Sequence, residues 1–155
     1  MNISWQYIAG IIDGEGSIGT TRTGKYRNVV GRVVVANTDS RLLYALQTVH
    51  KGTISIRPRG AKDGWKPFGS IAWSCRQAEY LLEKVLPFLI IKKEQALICL
   101  ELIRMRDKSK QERFDYVKSP IQIFQNRVVV QLKPEIRRKE EYLTTELRRL
   151  NKRGI

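Results

Sequence analysis

The strongest constraint on the fold of this chain lies near its N-terminus, in the run YIAGIIDGEGSI. An apolar stretch of helical length carries small residues at Ala9, Gly10 and Gly14, so another backbone could approach it closely. The stretch ends in the carboxylates Asp13 and Glu15 and passes into a segment with the composition of a strand. Because the macrodipole disfavours an anion at a helix C-terminus, Glu15 is a candidate ligand for a cation.

Charge is the second strong signal. The chain has 29 Lys and Arg residues against 15 Asp and Glu residues, which gives a net charge of +14. Residues 16–76 hold 11 of the basic and 2 of the acidic residues, hence +9 of that total. Since this stretch also has strand patterns, we expect most of the excess charge on one sheet. A basic sheet favours a polyanion partner, with nucleic acid ahead of a membrane surface.

The periodicity predicts an α+β fold with the order helix, hairpin, helix, hairpin, helix. We expect one twisted antiparallel sheet with helices on one face and a ligand on the other. The 155 residues are long enough for a single domain, with a core over about 4–105 and a helical C-terminal extension over 106–155. In that extension, 108–118 is predicted as a loop and 134–153 as a charged helix with little to bury.

Two further features limit the class of protein. Cys75 and Cys99 lack the spacing of a metal site and sit in apolar runs, which predicts buried free thiols. No secretion signal and no apolar run of membrane-spanning length is present, so we expect an intracellular protein with no membrane partner, in the cytoplasm or an organelle.

Three segments of the chain resemble one known family. The run IAGIIDGEG resembles the motif for which the LAGLIDADG homing endonucleases are named, with Glu15 at its final acidic position. The run VVVANTD resembles the end of the family's first hairpin, and LPFLIIKKEQA resembles the stretch that supplies a catalytic lysine. These segments span about residues 5–105 in the family's order. A single copy of the motif is similar to the homodimeric branch of the family.

The resemblance implies a catalytic site. Glu15 would bind a divalent cation together with the carbonyl of Gly14. That cation would be Mg²⁺, although Mn²⁺ or Ca²⁺ could occupy the site. Lys92 would act near the scissile phosphate, Asn37 would order water, and Arg41 would lie near the same phosphate. The role of Asp13 stays open between orienting the helix ends and binding metal.

The resemblance also implies a homodimer, in which Ala9, Gly10 and Gly14 let the two first helices pack together. Such a dimer would be a site-specific endonuclease of intron or intein origin that cuts a long pseudo-palindromic target in double-stranded DNA. Two alternatives stay open on the same fold: an intron maturase that binds RNA, and a DNA-binding regulator that does not cleave.

Strand alternation and charge, rather than the motif, predict which side chains bind DNA. We expect them on the outward face of both hairpins and in the hairpin loops, where Arg and Lys can contact guanine or phosphate. The set is Arg22, Lys25, Asn28, Arg32, Ser55, Arg57, Arg59, Lys62 and Lys66.

Overall fold

A computed structural model describes residues 3–23, 28–57, 68–117 and 134–152. Helices and strands alternate in the predicted order, with a single 3₁₀ turn at Leu86–Phe88. The helices are α1 (Trp5–Glu15), α2 (Ser40–Val49), α3 (Arg76–Val85), α4 (Lys93–Val117) and α5 (Pro134–Lys152), and the strands are β1 (Gly16–Thr23), β2 (Asn28–Asn37), β3 (Thr53–Arg57) and β4 (Phe68–Ser74).

The four strands form one antiparallel sheet in the order β1-β2-β4-β3. The register pairs Ile18 with Val33, and Val33 also pairs with Trp73. Directly opposed side chains lie on the same face of a sheet, and all three of these residues are buried. They define an inward face that packs against the helices, and the expected α+β architecture is confirmed.

The helices cover only this inward face. Ile8 and Ile12 of α1, Leu43 of α2 and Leu81 of α3 belong to the same buried cluster as the inward residues of the sheet. The first helix begins after Ser4, whose side chain caps it by accepting a hydrogen bond from the backbone N–H of Tyr7.

The C-terminal region differs from the expectation. The predicted loop over 108–118 is wrong for most of its length, because α4 continues to Val117. The last helix is not a solvated appendage either. Leu143, Leu147 and Leu150 of α5 are buried, and Glu140 forms an ion pair of 2.7 Å with Arg106 of α4, in which both side chains are 11% exposed. The pattern of residues 121–132 fits either a helix or a strand, and this segment lies outside the described residues.

The remaining expectations concern thiols and membranes. Cys99 is buried, Cys75 is half-buried, and both are free. Burial raises the pKa of the Cys99 thiol to about 12. Within the described ranges, no helix combines the length and the apolar character that a membrane span requires.

Candidate active site

The C-terminal end of α1 passes into β1 without a loop. The N–H of Gly16 donates to the carbonyls of Ile11 and Ile12, which closes the last turn of the helix. A Cβ at position 16 would lie 2.7 Å from the carbonyl oxygen of Ile12, so only glycine fits this junction. Glu15, the last residue of the helix, is therefore held exposed at the point where α1 meets the sheet.

Asn37 contacts Glu15 from the end of β2. Its Nδ2 donates to Oε2 of Glu15 at 2.6 Å, and its Oδ1 accepts from the backbone N–H of Asp39 at 2.7 Å. The second contact fixes the orientation of the amide, because only the oxygen can accept from an N–H. The structure thus brings together two predicted site residues that are 22 positions apart.

Arg41 lies at the rim of this site. Asp39 caps α2 by accepting from the backbone N–H of Arg41 at 3.0 Å, and it also pairs with the Arg41 guanidinium at 2.6 Å. The hydrogen bond from the Arg41 guanidinium, together with the one from its backbone N–H, lowers the pKa of Asp39 to about 2. The sequence gave no sign of this ion pair. The arginine is highly exposed, so the pair adds little stability.

Lys92 approaches the end of α1 from the other side. Its Nζ donates to the carbonyl of Ile12 at 2.9 Å and to that of Asp13 at 2.5 Å. A cation is stabilised at the C-terminus of a helix, where carbonyls lack partners. The amine thereby compensates part of the negative potential at the C-terminal end of α1. Burial lowers the pKa of Lys92, while the charge of Asp13 opposes that shift.

Asp13 holds the backbone that carries this lysine. Its Oδ2 accepts from the N–H of Ile90 at 2.8 Å, and its Oδ1 accepts from the N–H of Lys92 at 2.9 Å. Both carboxylate oxygens are therefore engaged in fixing the segment before α4. Of the two roles left open by the sequence, these contacts favour orientation over metal binding.

The donor set at Glu15 fits a hard divalent cation only in part. A carboxylate and the Gly14 carbonyl are oxygen ligands of the kind that Mg²⁺ prefers. Among the residues that the structure describes, no group of three or more His, Cys, Asp or Glu side chains could hold a metal ion. Mg²⁺ commonly takes one or two carboxylates and completes its shell with water and substrate phosphate. The residues present fit that open type of site, not a closed cage.

The outward face of the sheet carries several of the residues expected to bind DNA. The register places Arg32 opposite Ser74, and it pairs Ser55 and Arg57 with Ser70 and Phe68, all on the face away from the helices. Asn28 belongs to the same alternation by its backbone position in β2. Lys25, Arg59, Lys62 and Lys66 lie outside the described residues.

Arg22 is the exception, and its expected position was wrong. It pairs with Val29, which is buried on the inward face, so Arg22 lies on the helix side of the sheet. Counting by two along β1 from Ile18 reaches Arg22, so the strand did contain the signal. Arg22 thus remains in the sheet but on its inward face. Among the described side chains, Arg32 and Arg57 are the basic residues of the outward face.

The small residues of α1 also separate into two groups. Ala9 is fully buried in the core of its own chain, so it was wrongly grouped with residues that would contact a second copy. Gly10 and Gly14 are exposed, and a Cβ at either would meet nothing within 4 Å. Packing within the described chain therefore does not explain why these two positions are glycine.

The topology together with the acidic end of α1 defines a class of protein: the chain has the LAGLIDADG homing endonuclease fold. Among solved structures, it is similar to the homing endonuclease I-CvuI bound to its target in the presence of Ca, with a TM-score of 0.66 and 19% identity over 94% of this chain and 80% of that one.

Two other solved structures share the fold. The archaeal intron-encoded homing endonuclease I-Vdi141I, complexed with DNA, has a TM-score of 0.55 and 15% identity over 95% of this chain and 96% of that one. The meganuclease I-AabMI, bound to uncleaved DNA, has a TM-score of 0.62 and 16% identity over 92% of this chain but only 44% of that one. No family model matches the sequence, and no curated protein matches it. At these identities the likeness establishes the fold alone.

Proposed function

We propose that this chain is a site-specific endonuclease that cuts double-stranded DNA as a homodimer with Mg²⁺. The observation that carries the proposal is the convergence of Glu15, Asn37 and Lys92 on the exposed end of α1. The solved structures named above are DNA complexes, which favours DNA over intron RNA as the partner.

Glu15 and the Gly14 carbonyl would hold the metal ion, which activates water and neutralises charge on the leaving oxygen of the phosphodiester. Asn37 keeps one oxygen of Glu15 in a fixed direction, because its amide is itself oriented by the N–H of Asp39. The other carboxylate oxygen is then available for a ligand. A lone exposed carboxylate with a fixed direction is suited to binding, since little conformational entropy is lost when the ligand arrives.

Lys92 supplies positive charge beside this carboxylate. The amine is fixed by two carbonyls of α1, so it lies next to the place where a phosphate bound at Glu15 would sit. A positioned cation stabilises charge that develops on phosphate oxygens in the transition state. Asp13 acts as a positioning residue, because it contacts the backbone of Lys92 and not the reacting atoms.

A second copy of the chain would complete the site. Exposed Gly10 and Gly14 lie on one side of α1 together with the exposed ring of Tyr7. Ile90, tied to the end of α1 by Asp13, is 87% exposed. This mixture of close-approach glycines and exposed apolar side chains is typical of a surface that another helix covers. The chain spans 80% and 96% of two proteins that share the fold but 44% of the third. These lengths support a homodimer in which each chain binds one half of the target.

The outward face of the sheet would lie against the target. A two-stranded ribbon fits a major groove, and a dimer places two sheets over adjacent half-sites. Arg32 and Arg57 are suited to reading bases because both lie within or at the end of a strand of that face. Replacing either with alanine would relax preference at one symmetric pair of base positions, at a cost of about 1–3 kcal/mol.

The direct test is selection of cleaved molecules from a random duplex library incubated with the protein and Mg²⁺. The proposal predicts enrichment of one long pseudo-palindromic sequence, with no enrichment in EDTA. Bound but intact duplexes would instead identify a regulator that does not cleave. Failure of the folded dimer to retain or cut any duplex would overturn the proposal.

A further inference from the structure

A cleft lies beside β1, an edge strand of the sheet. It has a volume of about 410 Å³ and opens between α5 and the hairpin of β1 and β2. Its lining consists of Thr20, Thr21, Arg22, Val29, Thr144 and Arg148. Among the described residues, no acidic side chain lines the cleft, whereas two guanidinium groups do. That composition suits an anion.

The periodicity of the two elements brings these groups together. Thr20 and Arg22 alternate on the inward face of β1, as their pairing with Gly31 and Val29 shows. Thr144 and Arg148 are four residues apart and lie on one stripe of α5. Two hydroxyl groups and two guanidinium groups therefore converge from rigid elements rather than from a loop. These donors suit a ligand with several acceptor oxygens.

Neither arginine of the cleft has an acidic partner among the described residues. Within the described ranges, Arg22 and Arg148 form no ion pair, whereas the neighbouring Arg149 pairs with Glu146 at 2.6 Å. Two guanidinium groups that share a cleft repel each other unless an anion lies between them. Arginine is the residue best suited to bind phosphate oxygens through paired N–H donors.

Thr144 supplies an independent observation. Its side chain is 6% exposed, and its hydroxyl is buried with no hydrogen-bond partner among the described residues. Buried hydroxyls are nearly always hydrogen-bonded in folded proteins. The Thr144 hydroxyl therefore has hydrogen-bonding capacity that no described residue uses, at a residue that lines the cleft.

We infer that the cleft between α5 and the first hairpin binds a phosphate oxyanion through Arg22 and Arg148. The phosphate could belong to DNA that passes the β1 edge of the sheet, a source that rests on the proposed function, or to a free phosphate ester. The lining of the site includes neither Glu15 nor the outward-facing arginines Arg32 and Arg57. It gives a role to Arg22, which the inward position removes from base reading.

The test is titration of the ¹⁵N-labelled protein with inorganic phosphate at constant ionic strength. Saturable shifts are expected at the amides of 20–22 and 144–148. Arg148→Gln should weaken this binding by about tenfold, the loss of one charge-assisted contact. Arg138→Gln, which removes an exposed charge from the same helix outside the cleft, should leave it unchanged. Shifts that are absent, or equal in Arg148→Gln, would overturn the site.

Duplexes of increasing length distinguish the two sources. If the site holds backbone phosphate, Arg148→Gln weakens binding of a long duplex but not of one trimmed to the sheet, while Arg138→Gln changes neither. If both duplexes bind Arg148→Gln as they bind the unmodified protein, the phosphate titration assigns the site to a free ester. A protein that binds no duplex but still shows the phosphate shifts counts against the proposed function alone.

Discussion

Asp13 and Lys92 hold each other at two points. The carboxylate of Asp13 accepts from the backbone N–H of Lys92 at 2.9 Å, and the Lys92 amine returns to the carbonyl of Asp13 at 2.5 Å. The first contact sets the start of α4, and the second fixes the amine at the end of α1. Asp13 therefore couples Lys92 to the end of α1, which carries Glu15.

Asp13→Asn tests this coupling. The amide would present an NH₂ group to one of two N–H donors, so at least one hydrogen bond is lost. We expect the free energy of unfolding to fall by about 1–2 kcal/mol, together with a lower cleavage rate and a displaced Lys92 amide resonance. Urea denaturation and ¹H–¹⁵N spectra provide the readouts. If neither the stability nor the Lys92 resonance changes, the contacts of the Asp13 carboxylate with Ile90 and Lys92 do not fix the position of the lysine.

The lowered pKa of Lys92 predicts an alkaline limb in the cleavage rate. Desolvation favours the neutral amine, so the charge is lost at a pH below the ordinary pKa of 10.5. Between the lowered pKa of the folded state and the ordinary pKa of the unfolded chain, the unfolded chain binds more protons at Lys92, so the free energy of unfolding rises with pH. The loss of the Lys92 charge over the same range weakens transition-state stabilisation. In the unmodified protein, single-turnover rates should fall on the alkaline side, at a pH below 10.5. Lys92→Arg should remove that fall, and an identical limb in both proteins would exclude Lys92 as its source.

Gly10→Leu separates the fold of one chain from its assembly. Because a Cβ at Gly10 meets nothing within 4 Å, the single chain should keep its stability, or gain up to about 1 kcal/mol from helix propensity. The dimer should be lost, since leucine overpacks a close helix contact by about 1–3 kcal/mol. Sedimentation should give twice 18.0 kDa for the unmodified protein and 18.0 kDa for the variant. Thr145→Leu on α5 is the matched control. A monomeric unmodified protein at micromolar concentration would contradict the dimer.

Leu147→Ala tests whether α5 belongs to the core. Leu147 is 1% exposed and belongs to the main buried cluster, so its truncation should cost about 2–5 kcal/mol. Leu97→Ala, at a position that is 51% exposed, should cost less than about 1 kcal/mol. Denaturation curves of the two variants measure the difference. If both variants lose equally little stability, α5 is a solvated extension and not part of the core.

The sequence predicted the architecture well where one period dominated. Strand β2 alternates cleanly, so the inward position of Val33 and the outward position of Arg32 followed directly. Strand β1 contains a single large apolar residue, Ile18, and this weak pattern is why Arg22 was assigned to the wrong face. In α5, Leu143 and Leu147 have helical spacing, but the many charged residues around them led to the prediction of a helix with little to bury.

The candidate site was less predictable because its contacts are long-range. The family resemblance drew attention to Glu15, Asn37 and Lys92, yet nothing in the local pattern indicated that the Asn37 amide would reach Glu15. The use of both Asp13 oxygens by Ile90 and Lys92 joins segments 77 and 79 residues apart. Such contacts depend on how α1 packs beside the segment before α4, which only tertiary structure determines.

Glu15→Gln tests the central claim most directly. On a target recovered from the duplex library, the account predicts that cleavage in Mg²⁺ falls by at least about a hundredfold, roughly 2.7 kcal/mol in the barrier. Binding of the same duplex should be equal or tighter, because a negative charge beside DNA is removed. Glu94→Gln, an exposed acid in the first turn of α4, should cleave normally. A Glu15→Gln protein that cuts the target at nearly the unmodified rate would contradict the assignment of Glu15 as the metal-binding acid.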